Sequence, residues 1–431
     1  MTVISRRRLM RTSLAACAAA IGAGPLLASP VDELIADPRR GRWDDEFDSG
    51  ASRSGGDVDS NNPTFTPSAA ANVENLIAQY ERIVSAGGWP RVDAAATAMR
   101  LGFRSENVRS LRERLIVSGD LPRNAGVSAG FDSYVDAAVR RFQARHGIQA
   151  DGVVGAYTLD TLNVPAAVRL AQLQVNRERL MRLPYDPGRR YVMVNIPAAS
   201  IEAVEAGMVA QRHTAIVGRI DRATPILSSD IFEVILNPYW TAPRSIIEKD
   251  IMPIMRRDPT YLERSSIRLV DQSGNEVSPE TIDWNTEEAP NLLFRQDPGQ
   301  TNAMASAKIN FHNEHAVYMH DTPHKEMFGR QKRFESSGCV RVQNIRDFST
   351  WLLKETPGWT RAAIEAAIAS GQNTPVNLAE EVPVYFEYIT AWSARDGVAQ
   401  FRDDIYQLDG ESSLEGQAAV YADADEDMLP L

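Results

Sequence analysis

The stretch VYMHDTPHKEMFGRQKRFESSGCVRV, residues 317–342, places a histidine at the end of a strand-like run, nineteen residues before a cysteine. Cys339 follows a small polar turn of Ser336, Ser337 and Gly338. A free cysteine is usually a small buried apolar residue. The polar turn favours a second interpretation, in which an imidazole takes the thiol proton and leaves a nucleophilic thiolate. Backbone N–H groups at Gly338 and Cys339 would then hold the oxyanion.

Four of the six histidines lie close together: His312, His315, His320 and His324. One interpretation is a zinc or copper site, because clustered imidazoles are the usual ligands of these metals. On a strand that ends near Met319, however, His315 and His320 lie on opposite faces. No paired cysteine or carboxylate spacing completes a ligand set. The sequence therefore predicts no metal and no cofactor, and favours a Cys–His pair that uses one of the four histidines.

The first 29 residues have the composition of an export signal. SRRRLM, residues 5–10, precedes an apolar, alanine-rich run from Leu14 to Ala28, which contains the second cysteine, Cys17. This order is typical of a secretory signal, and the adjacent arginines resemble the twin-arginine signal. No later segment reaches the roughly 18 apolar residues of a spanning helix. We therefore expect a periplasmic or cell-envelope protein without a transmembrane segment after signal removal. An unpaired thiol in that oxidising compartment favours a functional role for Cys339.

Charge and length limit the classes of protein further. The formal net charge is −11 at pH 7, and no long basic run occurs. Nucleic-acid binding depends on cations that neutralise phosphates, so we expect no nucleic-acid partner. A length of 431 residues favours two or three domains over one.

Composition and periodicity divide the chain into segments. The signal is followed by a flexible linker at 30–68, which is rich in Gly, Ser, Asp and Asn. We predict a helical scaffold segment at 69–104, a small helical module at 105–163, a helical connector at 164–189, a mainly β catalytic domain at 190–390 with an insert at about 245–299, a C-terminal strand and turn segment at 391–409, and an acidic disordered tail at 410–431.

The helical module has amphipathic spacing in SENVRSLRERLIVSG, residues 105–119, and SYVDAAVRRFQARHG, residues 133–147. By pattern alone it is a small packing domain. The string AVRRFQARHGIQADGVVGAYTLDTL, residues 138–162, resembles the peptidoglycan-binding domain family. That resemblance implies a module that samples the cell-wall polymer through weak binding.

The C-terminal half changes to short β-branched and aromatic runs, such as YVMVNIP and IFEVILN, which predict strands. Residues 317–342 resemble the signature of the L,D-transpeptidase (YkuD) family, in its long periplasmic form. NPYWTAPRSI, residues 237–246, and RQDPGQTNA, residues 295–303, are similar to that subfamily too. The fold class implied is multidomain α+β, in which a helical peptidoglycan-binding-like module precedes a mainly β catalytic domain with a lid-like insert.

The resemblance assigns roles to particular residues. It implies that Cys339 is the nucleophile and that His320 is the general acid and base. Tyr318 and Arg341 match positions near the substrate, and Arg341 would either pin the catalytic loop or grip a substrate carboxylate. Many family members have histidine where this chain has Ser337, so Ser337 is left as a candidate hydrogen-bond partner.

The chemistry implied is acyl transfer in two halves. Cys339 would attack a tetrapeptide stem with loss of D-Ala, and the side-chain amine of a diamino acid in a second stem would resolve the thioester, giving a 3→3 cross-link. The partners would be peptidoglycan peptide stems, as tetrapeptide donor and diamino-acid acceptor. Two alternatives stay open: an L,D-carboxypeptidase or amidase with water as acceptor, and an inactive wall-binding scaffold.

Overall fold

The computed structural model describes residues 61–95, 97–183, 186–286, 289–393 and 397–410. The predicted signal, most of the predicted linker and nearly all of the acidic tail lie outside the described residues. No helix in the described ranges is long and apolar enough to cross a membrane.

The N-terminal half is helical, as the apolar periodicity predicted. Its helices are α1 (Ala69–Ser85), α2 (Asn107–Val117), α3 (Ser133–Arg145), α4 (Ala156–Leu162) and α5 (Ala166–Arg182). The module formed by α2 to α4 has an apolar core of its own. Asp132 caps α3 by accepting the backbone N–H groups of Tyr134 and Val135. Helices α1 and α5 instead bury their apolar faces against the outer face of the β-sheet in the C-terminal half.

The C-terminal half is mainly β. Its strands are β1 (Arg190–Asn195), β2 (Ser200–Glu205), β3 (Met208–Gly218), β4 (Leu227–Leu236), β5 (Trp240–Thr241), β6 (Ile267–Val270), β7 (Glu276–Val277), β8 (Leu293–Gln296), β9 (Ala307–Phe311), β10 (Met319–His320), β11 (Phe334–Ser336), β12 (Val340–Val342), β13 (Thr374–Glu387), β14 (Ala391–Ser393) and β15 (Ala399–Phe401). Its helices are α6 (Arg244–Ile246), α7 (Met252–Met255), α8 (Tyr261–Arg264), α9 (Ile345–Leu352) and α10 (Arg361–Ala369), and a π-helical turn at Ile247–Ile251 joins α6 to α7.

Nine strands form the main sheet, in the order β11-β3-β12-β10-β9-β4-β13-β1-β2. Because β2 also pairs with β3, the strands close into a ring. The ring encloses a core of fully buried residues that includes Val192, Val234, Ile309 and Phe386, and Phe348 of α9 joins it. A helical module followed by a mainly β domain was the predicted fold class, and the structure agrees with it.

The predicted insert is a small layer of its own. Its strands pair in the order β5-β8-β6-β7, and its core is separate from that of the main sheet. Two buried asparagines fix the points where it leaves and rejoins the sheet. Asn237 donates to the carbonyls of Ala367, Ile368 and Gln372, and Asn302 donates to the carbonyl of Pro238 at 3.0 Å. These hydrogen bonds fix both ends of the insert, which we call the lid.

The last residues of the predicted linker are ordered rather than free. Thr64 donates to the Glu202 carboxylate, and the Tyr191 hydroxyl donates to the carbonyl of Phe65, which is 2% exposed. The prediction of a flexible linker as far as residue 68 is corrected here for residues 61–68. The linker composition concealed one aromatic, Phe65, that contacts two tyrosine rings of the sheet.

Candidate active site

The candidate site lies on one face of two parallel neighbours in the sheet. In β10 and β12, Met319 pairs with Val340, and both are buried in the core. Because side chains alternate along a strand, the residues next to them point to the opposite face. Those residues are Tyr318, His320, Cys339 and Arg341.

The turn before Cys339 is held at several points. Gly338 has φ 111°, which only glycine adopts readily. The Ser336 hydroxyl donates to the Cys339 carbonyl at 2.5 Å and accepts the Gly338 N–H at 3.2 Å. The buried Thr224 hydroxyl donates to the Gly338 carbonyl at 2.9 Å. The turn therefore fixes the direction in which the thiol points.

Cys339 is a partly buried free thiol. Tyr318 lies beside it, and the backbone N–H and hydroxyl of Tyr318 act on the sulfur. Burial raises the pKa of the Cys339 thiol, and the Tyr318 donors and the charges of Lys308 and Arg341 oppose that increase. The thiol is therefore neutral at rest, in surroundings that stabilise a thiolate once the proton leaves.

His320 is buried, with 7% of its surface exposed. Its Nδ1 donates to the Asp321 carbonyl at 2.5 Å, which leaves Nε2 as the basic nitrogen. Burial, reinforced by the Arg341 charge, lowers the pKa of His320 to about 3. The Tyr318 and His320 rings lie 5.5 Å apart, centroid to centroid. A neutral imidazole with a fixed tautomer thus lies beside the tyrosine that contacts the thiol.

Arg341 has no carboxylate within 4 Å among the described residues. Its Nη1 contacts the Met327 sulfur at 3.3 Å, and its Nε is buried without a partner. Burial lowers the pKa of Arg341, which the charges of Glu335 and Cys339 partly offset. Its guanidinium can therefore accept an anionic group from a substrate.

Ser337 is exposed and contacts the loop that follows β3. Arg222 donates to the Ser337 hydroxyl at 2.9 Å and makes a two-pronged ion pair with Asp250 of the lid, at 2.5 and 2.8 Å. At the position where many family members have histidine, Ser337 therefore connects the turn before Cys339 to the lid through Arg222.

The other clustered histidines do not join the site. His312 is exposed and stacks on Phe232, His315 is exposed, and His324 lies near Glu326. Within the described ranges no group of three His, Cys, Asp or Glu side chains could hold a metal ion.

Sequence reasoning missed three residues at this site. Lys308 of β9 pairs with His320, and its ammonium lies 4.2 Å from the centre of the Tyr318 ring. Arg222 and Thr224 reach the catalytic turn from more than a hundred residues away. Lys308 lies in the alternating run AKINF, which could have placed it on the face of the site; the other two have no local signal.

Two regions of this chain match known protein families. Residues 189–374 match the family model YkuD, "L,D-transpeptidase catalytic domain", and residues 104–162 match the "Putative peptidoglycan binding domain". A curated relative from Haemophilus influenzae, named "Putative L,D-transpeptidase", is 34% identical over 245 residues, covering 56% of this chain and 49% of that protein. The chain thus spans about half the length of that relative.

Solved L,D-transpeptidase structures are also similar to this chain. The enzyme from Xylanimonas cellulosilytica (residues 123–326) is 16% identical and covers 68% of this chain and 100% of its own, with a TM-score of 0.23. The enzyme from Stackebrandtia nassauensis is 14% identical and covers 69% and 96%, with a TM-score of 0.25.

The two matched regions place a peptidoglycan-binding-type domain before an L,D-transpeptidase-type catalytic domain. Residues 189–374 belong to the L,D-transpeptidase (YkuD) family. The resemblance drawn from residues 317–342 is confirmed.

Proposed function

We propose that this protein is a peptidoglycan L,D-transpeptidase that forms 3→3 cross-links through a thioester on Cys339. The observation that carries the proposal is the arrangement of Cys339, Tyr318 and His320 on one face of the sheet. The Tyr318 N–H and hydroxyl act on the Cys339 sulfur, and His320 has its Nδ1 engaged and its Nε2 available.

In the first half-reaction, the Cys339 sulfur attacks the carbonyl carbon that links the L-centre of the diamino acid to D-Ala. His320 takes the thiol proton at Nε2 and gives it to the departing amine, so the C–N bond breaks as the thioester forms. In the second half-reaction, the side-chain amine of a second stem attacks the thioester. It loses a proton to His320, and the thiol is restored.

The oxyanion of both tetrahedral intermediates needs a donor close to the sulfur. The Gly338 N–H, expected from the sequence to take this role, already donates to the Ser336 hydroxyl. The Cys339 N–H has no hydrogen-bond partner within the described ranges. We therefore place the oxyanion at the Cys339 N–H, with Gly338 as a second donor only if its bond to Ser336 opens.

Arg341 is proposed to bind a carboxylate of the donor stem. A guanidinium without an acidic partner suits this role better than pinning the loop, because its hydrogen bond to the loop goes to the Met327 sulfur, a weak acceptor. A buried cation also gains most from a charged ligand that shares its desolvated environment.

The lid is proposed to exclude water from the thioester. Tyr318 packs against the core of the lid, and Asp250 of the lid pairs with Arg222, which donates to Ser337. The lid therefore reaches the residues on both sides of Cys339. Excluding water favours attack by an amine over hydrolysis.

The helical module is proposed to bind the polymer. We also propose that residues 1–29 export the chain by the twin-arginine route to the periplasm, where this substrate lies. Fusing residues 1–29 to a reporter that must cross the membrane folded tests the route, and replacing Arg6 and Arg7 by lysine should abolish export.

The experiment that tests the activity is mass spectrometry of muropeptides after incubation with the purified protein. We expect dimers joined between two diamino acids, each formed with release of D-Ala, and an acyl-enzyme in the intact-protein spectrum. Cys339→Ala should abolish both products. His320→Ala should lower acylation by about 10²- to 10⁴-fold, and the exposed His315→Ala is its matched control. Tripeptides without dimers would identify water as the acceptor, and no acyl-enzyme at all would identify a binding scaffold.

A further inference from the structure

Lys308 is a cation beside the nucleophile that the mechanism above does not use. It lies on β9 opposite His320 of β10 and Ile235 of β4. Its neighbour Ile309 is buried in the core, so alternation directs Lys308 to the face that carries Cys339. Its ammonium lies 4.2 Å from the centre of the Tyr318 ring, and the Tyr318 carbonyl accepts the N–H of Val340, the residue after Cys339, at 3.1 Å.

The charge of Lys308 is not neutralised by an acidic partner. No carboxylate oxygen lies within 4 Å of its ammonium among the described residues. Glu233, whose charge acts on it, accepts a hydrogen bond from the Asn310 amide at 2.6 Å. The side chain is half-buried, and in that environment a charge acts on its neighbours with little screening by water.

We infer that Lys308 is a positioning residue for the nucleophile, where its ammonium, held on the Tyr318 ring, stabilises the Cys339 thiolate as it forms. The inference rests on the proposed acyl transfer for its purpose. It can be tested on the thiol alone.

The charged groups around Cys339 and His320 act differently on these two residues. Cys339 faces Lys308 of β9, Tyr318 of β10 and Arg341 of its own strand. His320 faces Arg341, Asp321 and Lys308, with Arg341 as the strongest of these charges. Glu335 and Glu326 act on Arg341, and Glu233 acts on Lys308. Of the two cations, Lys308 therefore favours the thiolate more, whereas Arg341 acts more strongly on the imidazole and keeps it neutral.

The experiment measures the rate of Cys339 alkylation by iodoacetamide against pH in the full chain. The second cysteine is replaced in all variants (Cys17→Ala), so that a single thiol reports. In Lys308→Met we expect the apparent thiol pKa to rise by about one pH unit, and the alkylation rate at pH 7 to fall about tenfold. Lys308→Arg should restore most of the reactivity, because it keeps the charge. Lys249→Met, on the exposed surface of the lid, should change nothing.

A folded Lys308→Met protein with an unchanged alkylation profile would overturn the inference. If Lys308→Met does not fold, Lys308→Gln against Lys308→Arg makes the same comparison, and equal profiles in those two would overturn it as well. A raised KM for a peptide donor with an unchanged thiol pKa would show that Lys308 binds substrate instead. Alkylation needs no acyl donor, so this result is independent of whether cross-linking is found.

Discussion

At the scale of single residues, the site keeps both Cys339 and His320 neutral. Burial raises the pKa of Cys339 and lowers that of His320 to about 3. An imidazolium–thiolate pair, as in some cysteine enzymes, is therefore not the resting state. A thiol that is neutral at rest presents little thiolate, which is the form that oxidants attack.

This neutral pair predicts an unusual pH profile. The basic form of His320 is present above its lowered pKa of about 3, so acidification from pH 8 to pH 5 should not remove the base. We expect kcat/KM for acylation by a β-lactam or peptide donor to show no inflection near 6.5, the usual histidine value. Stopped-flow acylation at pH 5 to 8 measures this. A drop of tenfold per unit below pH 6.5 would contradict the assignment of the neutral base.

Glu387 makes a second residue-scale prediction, one about stability. Burial raises its pKa from 4.5 to about 7, and its pairing partner Asn195 is a buried amide without a hydrogen-bond partner. Folding therefore favours the protonated form. The stability that protonation contributes is present below about pH 4.5 and is lost as the pH rises through 7. Glu387→Gln should raise the melting temperature at pH 8 and leave it nearly unchanged at pH 4.5, and equal shifts at both pH values would argue against this.

At the scale of elements, the lid is joined to the catalytic turn by one arginine. Arg222 pairs with Asp250 of the lid and donates to Ser337. Both partners of the ion pair are largely shielded, with side-chain exposures of 13% and 23%. Such a pair contributes more than the exposed ion pairs of the surface. The position of the lid and the position of the turn are therefore coupled.

Weakening this ion pair should change the fate of the thioester. In Asp250→Asn we expect acylation within about twofold of wild type and a several-fold larger fraction of hydrolysed product, because a looser lid admits water. The measurement is the ratio of tripeptide to cross-linked dimer. Glu248→Gln, which breaks the exposed lid pair with Arg244, is the control. An unchanged ratio in Asp250→Asn would show that the ion pair does not hold the lid closed.

Elements also show how far sequence reasoning reaches. The apolar spacing at Val73, Leu76 and Tyr80 predicted α1, because a helix repeats every few residues and needs no distant partner. Local alternation likewise separated His320 from Met319. Strand pairing is not local, so nothing in the sequence brought Lys308 opposite His320, or Arg222 and Thr224 to the turn. The packing of Phe65 on the sheet was missed because its neighbours have linker composition.

At the scale of the whole molecule, the helical module is joined to the catalytic domain through the C-terminal segment. Arg402 donates to the Arg145 carbonyl, and His146 stacks on Phe401. The same segment reaches the catalytic domain, where the Tyr406 hydroxyl donates to the Gly218 carbonyl. Deleting residues 105–163 would therefore expose Phe401 and remove contacts that hold the C-terminal segment in place.

A single substitution tests this junction without deleting the module. A Cβ at Gly147 would lie 2.5 Å from Nε of Arg402, whereas one at Gly119 would meet nothing within 4 Å, and both glycines have positive φ. Gly119→Ala should cost about 1 kcal/mol of backbone strain, and Gly147→Ala about 1–2 kcal/mol more, because Arg402 must move. Denaturant unfolding measures both. Equal losses of stability in the two variants would mean that Arg402 moves aside without an energetic cost.

The closed ring of strands also fixes when this chain can fold. Strand β13, residues 374–387, lies between β4 and β1, yet the ribosome makes it long after both. Until it emerges, two strand edges remain open, and unpaired edges invite wrong partners and proteases. A chain cut short before residue 374 is therefore not a weaker enzyme but a candidate for degradation. The sheet cannot close into its ring before residues 374–387 have been made.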